Sequence, residues 1–272
     1  MQNSHYQKLA SITFVDLVGS GVSSFLKGQL TISTDSIDSD TAKLAAFCNH
    51  KGRIISLFHI VAIDDGFRLI MPKSIVDASL VHVKKYAVFF KLDIINPEES
   101  MRLTCIDTEE LLAEAVSIDH THLKVKFSDS ECASSTSTGD TIWNWQLIKN
   151  GIPWLTAETI EKFLPHYLNL PKLDAVDFNK GCFTGQEVIA RMQYKAKLKQ
   201  HLRMLTTSST DVIPPLSYLE QSGKKVAEIV CSALHSDEGQ RVLASVKNSA
   251  NSDKEFQLKL ENGSILELKT AP

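Results

Sequence analysis

A lysine and a cysteine stand between glycines in the run Asn179-Lys180-Gly181-Cys182-Phe183-Thr184-Gly185-Gln186-Glu187-Val188-Ile189-Ala190-Arg191. A thiol acts as a nucleophile or redox centre through its thiolate, which a nearby cation or a helix N-terminus favours. Both are expected here. Thr184 and Glu187 have the T-x-x-E spacing of a capping box, and Val188, Ile189 and Met192 supply an apolar helical stripe, which predicts a helix starting near Gly185. Cys182 then lies two residues before the cap, with Lys180 close by. Gly181 and Gly185 allow positive φ and the close approach of an anionic or flat ligand to the backbone. On local chemistry alone, a strand-to-helix turn with Cys182 as a small buried hydrophobe and Lys180 in solvent accounts for the same residues.

The chain has 272 residues, 43% of them hydrophobic and 22% charged, enough for one large domain or two to three small ones. The N-terminus, Met1 to Tyr6, lacks a basic segment followed by an apolar one, and no apolar run approaches a membrane span. A cytoplasmic location and no membrane partner are the expectations. The formal net charge of −3 argues against a nucleic-acid partner held by the whole surface. Cys48, Cys105, Cys132, Cys182 and Cys231 are scattered and form no C-x-x-C, so neither a disulfide framework nor a metal site is expected.

The elements that must position the cysteine read as α+β. Leu44 to Ile94 follows strand, turn, strand, turn, strand, helix, strand, with turns at Asn49-His50-Lys51-Gly52 and Asp64-Asp65-Gly66. Pro72 opens the helix, and Ala87-Val88-Phe89-Phe90 is assigned to a buried strand. A short helix is expected from Asp107, between strands at Met101 to Cys105 and Leu123 to Phe127. Ser128 to Thr141 reads as an exposed loop, and Thr156 to Leu164 as a helix ended by Pro165. Trp143 and Trp145 would share a strand face by their i, i+2 spacing. Lys195, Lys197, Lys199, His201 and Arg203 alternate with Ala196, Leu198, Gln200, Leu202 and Met204, as in a half-buried strand with a cationic outer face. Strands at Val226 to Cys231 and Val242 to Val246, and a hairpin from Leu258 to Leu266 around Asn262-Gly263, suggest a small C-terminal barrel.

With these residues laid out, the run from Lys180 to Arg191 resembles the K-G-C-[YF]-T-G-Q-E-x-x-A-R signature of the YgfZ family, folate-binding relatives of the glycine-cleavage T protein (aminomethyltransferase) associated with iron–sulfur protein maintenance. Looser similarity runs through Phe25-Leu26-Lys27-Gly28-Gln29-Leu30-Thr31, Asn49-His50-Lys51-Gly52-Arg53 and Gly151-Ile152-Pro153. The chain departs from the family at Gly21, where an acid is usual, and at Ile32-Ser33-Thr34-Asp35, where an asparagine–aspartate pair is usual. The resemblance implies a ring-like, multidomain aminomethyltransferase-type fold. Residues 1–204 would form the folate-binding region, with a ferredoxin-like part at about 50–130, and residues 205–272 the barrel. It implies a tetrahydrofolate site with Lys180 and Cys182 at its mouth and as the reactive pair. Phe183, Gly185, Gln186, Glu187 and Arg191 from the signature would join the site, with Trp143 and Trp145 as candidates for the pterin slot. Arg191, Lys195 and Lys197 would serve the glutamate tail.

The T protein carries an acid after the turn that corresponds to Asn49-His50-Lys51-Gly52. Here Arg53-Ile54-Ile55-Ser56-Leu57 follows, and the group best placed to manage the folate proton is missing. The resulting expectation is a folate-binding accessory protein in the synthesis or repair of iron–sulfur proteins, acting on tRNA modification through such enzymes, with iron–sulfur enzymes or their assembly factors as partners. One cysteine cannot supply a cluster's usual ligands, so any cluster contact would be transient or shared. Two alternatives stand beside it. One is a tetrahydrofolate-dependent aminomethyltransferase or demethylase drawing its base from elsewhere. The other is a tRNA-binding module using the basic stretch, by analogy with the folate-binding domain of a tRNA-modifying GTPase; GTPase activity itself is excluded by the absence of a Walker-type glycine loop.

Overall fold

The computed structural model describes residues 7–96, 102–109, 115–128, 138–251, 254–261 and 263–271. In chain order its elements are β1 (Gln7–Lys8), β2 (Ile12–Val18), α1 (Val22–Lys27), β3 (Thr41–Cys48), β4 (Ile54–Ile63), β5 (Gly66–Pro72), α2 (Val76–Ala87), β6 (Asp93–Ile95), β7 (Arg102–Asp107), β8 (Val116–Ile118) and β9 (Leu123–Ser128). These strands form one sheet in the order β1-β7-β9-β8-β3-β4-β5-β2-β6. Pairing is antiparallel except at β3–β8, where Thr41 faces Ser117 and Ala42 faces Ile118. Helices α3 (Thr138–Lys149) and α4 (Gln186–Tyr194) follow. Strands β10 (Gln200–Thr207), β11 (Tyr218–Gln221), β12 (Lys224–His235), β13 (Gly239–Lys247), β14 (Phe256–Lys259) and β15 (Ile265–Thr270) then close a barrel. No helix among the described residues is long and apolar enough to cross a membrane.

The sheet is buried on both faces, which explains why its central strands read as nearly continuous apolar runs. Successive side chains of a strand point to opposite faces. Ala45 and Phe47 of β3, with Phe58 and Ile60 of β4, pack against Phe25 and Leu26 of α1 and Val83 of α2. Leu44 and Ala46, with Leu57 and Val61, enter the other core, which holds Trp143 and Leu147 of α3 and Ile189 of α4. The barrel has its own interior, built from Leu205, Ile229, Val242, Ala244, Phe256 and Leu268. Strands β2 and β9 lie far apart in the sheet order, yet the rings of Phe14 and Phe127 meet edge-on at 5.0 Å, so the sheet is strongly curled.

Several local expectations are corrected. Trp143 and Trp145 lie on helix α3, not on a strand, so their i, i+2 spacing turns them to different sides. A short apolar window does not by itself separate the two periods. The loop expected at Ser128 to Thr141 ends early, because α3 begins at Thr138, and Asp140 in its first turn accepts the backbone N–H groups of Ala10 and Ser11. The helix expected from Thr156 to Leu164 shrinks to a single 3-10 turn, Ala157–Thr159. Beyond it, Glu161 N–H donates to Ile54 O and Ile54 N–H to Phe163 O, so the backbone is recruited to the start of β4 instead.

The run Ala87 to Phe90 is no strand. Helix α2 continues to Ala87, a turn follows, and Val88 and Phe89 are exposed. The alternating basic stretch becomes a strand only at Gln200, because Ala196 N–H still closes onto Arg191 O at the end of α4. The helix expected from Asp107 falls largely on residues 110–114, outside the described ones, as does Asn262 of the final hairpin. That hairpin pairs Lys259 with Ile265.

One polar group inside the curl is critical. The Arg68 guanidinium makes paired 2.7 Å hydrogen bonds to both carboxylate oxygens of Asp16 and lies 4.2 Å from the Phe14 ring and 4.3 Å from the Phe127 ring. Removing the arginine strands a largely buried carboxylate. Arg68→Ala is expected to lower the free energy of unfolding by about 2–4 kcal/mol in urea titrations, with Arg68→Lys in between because it loses the fork. A loss under about 0.5 kcal/mol, the range of an exposed pair, would contradict this account.

Candidate functional site

The segment before α4 makes few hydrogen bonds of its own and is held by two distant turns. Asp177 N–H donates to Thr31 O at 2.8 Å, and the Asp177 carboxylate accepts Asn179 N–H at 2.8 Å. Lys180 Nζ donates at 3.0 Å to Lys27 O, a carbonyl that the end of α1 leaves without a helical partner, and at 2.6 Å to Leu30 O in the turn beyond. Thr184 N–H donates to Gly28 O, and the Thr184 hydroxyl to Gln29 Oε1 at 3.1 Å. The 25–31 and 180–185 runs are therefore bound together along their lengths.

Two glycines make the second contact. Gly185 has φ +85°, and a Cβ there would lie 2.5 Å from Asn49 O; Gly52 has φ +72°, and its Cβ would lie 3.1 Å from Val188. The Asn49–Arg53 turn thus packs directly on the start of α4. It is fixed in shape because Asn49 Oδ1 accepts the N–H groups of Lys51 and Arg53 at 2.9 and 3.0 Å. Arg53, the first residue after this turn, donates to the carbonyls of Glu161 and Lys162 and so ties the turn to the next segment.

Helix α4 starts where expected, with Gly185 as its N-cap, but no capping box forms. The Thr184 hydroxyl is committed to Gln29, a partner 155 residues away in sequence, and Gly185 in the left-handed region enters the helix without a side-chain cap. Cys182 is exposed rather than buried, and a Cβ at Gly181 would meet nothing within 4 Å. Lys180 is not free in solvent. Burial lowers its pKa to about 8, against an opposing pull from Asp177, and its Nζ lies 5.0 Å over the Phe183 ring. Phe183 is buried; Gly185 and Gln186 are half-buried, and Glu187 and Arg191 are exposed.

The two tryptophans lie elsewhere. Trp143 is fully buried against His59 and Trp154, and Trp145 sits under the Arg241 guanidinium at 4.7 Å. Sequence reasoning missed the residues beside the run. Phe178, just before it, and Tyr194, the last residue of α4, meet edge-on at 5.8 Å and border a cleft of about 630 Å³. Ile32, Leu44 and Val176 line its apolar part, and Lys43, Asp119, His120 and Asp177 its polar part. Tyr194 is 69% exposed, and an exposed aromatic at the end of a predicted amphipathic helix was the available signal. Among the described residues no group of three or more His, Cys, Asp or Glu could hold a metal ion.

The arrangement presents one thiol to solvent on a turn anchored from behind. The cleft, with its aromatic edge, an ammonium and several carboxylates, reaches Asn179, three residues before Cys182 in the chain; neither Cys182 nor Lys180 is among its lining residues. Such a cleft can take a flat ligand with hydrogen-bond donors on one edge and an anionic group on another.

No protein-family model matches the chain. A protein of Vibrio atlanticus named tRNA-modifying protein YgfZ is 28% identical over 232 residues, covering 77% of this chain and 71% of that protein. The Aliivibrio fischeri (strain MJ11) protein of the same name is 26% identical over 285 residues, covering 95% and 90%. Among solved structures, glycine cleavage system aminomethyltransferase T from Bartonella henselae shares the fold, with a TM-score of 0.73 over 98% of this chain and 85% of that one, at 14% identity. The α+β, aminomethyltransferase-type fold with a C-terminal barrel is the one expected from the sequence, and the similarity to proteins named YgfZ along most of the chain supports the family resemblance read from the signature run.

Proposed function

We propose that this chain is a tetrahydrofolate-binding accessory protein that supports the synthesis or repair of iron–sulfur proteins through Cys182, and thereby bears on tRNA modification. The observation that carries this reading is an exposed thiol, anchored through Lys180, Thr184 and Gly185, next to the cleft edged by Phe178 and Tyr194. The relatives' name, tRNA-modifying protein, supports the last part of it.

The cleft's residues fit a reduced folate. Phe178 and Tyr194 supply faces and edges for a pterin, Asp119 and Asp177 can accept from its amino and ring N–H groups, and Lys43 can meet a carboxylate of the glutamate tail. In this reading Phe178 and Tyr194 take the role first given to Trp143 and Trp145, which are enclosed by the core. Folate supplies one-carbon chemistry when bound; the chain supplies position and the thiol. Burial pushes the thiols of Cys48, Cys105 and Cys231 up to about 12, which leaves Cys182 as the exposed thiol among the described residues.

A second reading, a folate-dependent aminomethyltransferase, gains from one feature. In this reading Asp119 and Asp177 at the cleft take the place of the acid missing after Gly52. Robust folate-dependent ammonia release from an aminomethylated lipoyl carrier would favour it over the accessory role.

Tetrahydrofolate at about a hundredfold excess over its Kd is expected to stabilise the chain by about 2.7 kcal/mol in thermal melts, and the double variant Phe178→Ala/Tyr194→Ala to lose most of that gain. No shift with saturating reduced folate, or an undiminished shift in the double variant, would refute the assigned pocket. Cys182→Ala should change stability by no more than about 0.5 kcal/mol, as exposed positions do, and abolish support of iron–sulfur enzyme activity in cells lacking the protein. Full complementation by that variant would remove the thiol from the account.

A further inference from the structure

On the other side of the Asn49–Arg53 turn, away from its contact with α4, lies a separate cleft of about 570 Å³ between that turn and helix α2. Its floor is apolar, made by Ile55, Ala78, Val81, Tyr86 and Ile160. Its rim is cationic, with Lys51 and Arg53 on one side and Lys85 on the other, all exposed, and His50 beside them. The one carboxylate among the lining residues, Glu161, already accepts Asn49 Nδ2 at 2.9 Å. In a chain of net charge −3 this is a local reversal of sign.

The same helix and its exit carry large exposed apolar side chains: Val81 is 70% exposed, Val88 74% and Phe89 85%. Single exposed apolar residues are ordinary, but a group of them rimmed by charge marks an interaction surface. We infer that this cleft is a docking groove for an acidic segment of a partner protein, one that places an apolar side chain on the Val81–Tyr86 floor between carboxylates that meet Lys51, Arg53 and Lys85.

Charge and shape select that occupant over two others. A nucleic-acid strand binds through open aromatic faces on which bases stack. Here the apolar floor is aliphatic but for Tyr86, and Lys85 Nζ sits 5.2 Å over that ring. A lipid surface requires a convex apolar face, whereas this floor is concave. A chain segment fills such a groove, and complementary charge on the rim speeds its encounter and fixes its register.

The groove is joined to the thiol-bearing turn. His82 lines it and is kept neutral by burial, which lowers its pKa to about 4. Its Nε2 lies 3.0 Å from Gln29 Oε1, the oxygen that also accepts the Thr184 hydroxyl. A partner seated there contacts the same turn that packs on Gly185, so the groove is linked to the segment that carries Cys182 through Asn49 and Gln29. The inference stands on charge and shape and does not require folate to be the ligand of the other cleft.

The test uses the full chain and fluorescence anisotropy of a labelled synthetic peptide with a Leu-Phe pair between runs of glutamate. A copy with glutamine in place of glutamate, an oligouridylate and phosphatidylglycerol vesicles serve as competitors. The acidic peptide should bind with an affinity that falls as salt rises. It should bind about tenfold more weakly to Lys51→Glu/Lys85→Glu and to Val81→Ser, the second variant guarding against misfolding of the first. Absence of binding, equal binding of the glutamine copy, undiminished binding by folded variants, or displacement by RNA or vesicles in preference to the acidic peptide would overturn the proposal.

Discussion

The last carbonyl groups of a helix have no partners within it; at the end of α1 those of Phe25 and Leu26 are met by the turn that follows, while Lys27 O and, three residues on, Leu30 O take theirs from a side chain 153 and 150 residues later. Lys180 fills that need. Its half-buried ammonium bonds to the carbonyls of Lys27 and Leu30, and Thr184 closes the same junction through Gly28 and Gln29. Burying a cation is costly unless its hydrogen-bonding capacity is met, so the lysine and the helix end determine each other's position. Cys182, between these two anchors, is left facing outward on a turn that cannot drift.

That junction depends on the sheet beneath it. Strands β3 and β4 feed two cores at once, Phe47 and Phe58 toward α1 and α2, and Leu44 and Leu57 toward α3 and α4. Helices α1 and α4 are thereby fixed on opposite faces of one sheet, and their ends meet past the ends of β3 and β4 through the Leu26–Thr31 and Asn49–Arg53 turns. Substituting Gly185 or Gly52 would drive a Cβ into Asn49 O or Val188, which is why both turn positions take the residue without one. The barrel core is separate, so the site is built from the sheet and the helices alone.

What could be read from the sequence was what local rules determine. Apolar runs punctuated by Asn49–Gly52 and Asp64–Gly66 predict β3, β4, β5 and α2 in order, while the strand expected at Ala87 to Phe90 lies instead at β6, and the glycine at 185 marks the start of α4 within one residue. Where local rules conflicted with distant partners, the partners prevailed. Thr184 had the spacing of a cap but bonds to Gln29, and Thr156 to Leu164 had the pattern of a helix but gives its backbone to Ile54. Trp143 and Trp145 fit either period in so short a window. The cleft between Phe178 and Tyr194 joins residues from Ile32 to Tyr194, and no spacing rule reports a surface that exists only after folding.

The central claim is that an exposed Cys182 sits beside a folate-binding cleft. The most direct measurement is the rate at which iodoacetamide alkylates Cys182, followed by peptide mass, with and without saturating tetrahydrofolate. Labelling at Cys182 in the free protein, with Cys48 and Cys105 protected by burial and the half-buried Cys231 slowed by a thiol pKa pushed up to about 12, and a clear slowing at Cys182 when folate is bound are the expected results. A Cys182 that reacts at the same rate with the cleft occupied would contradict the account.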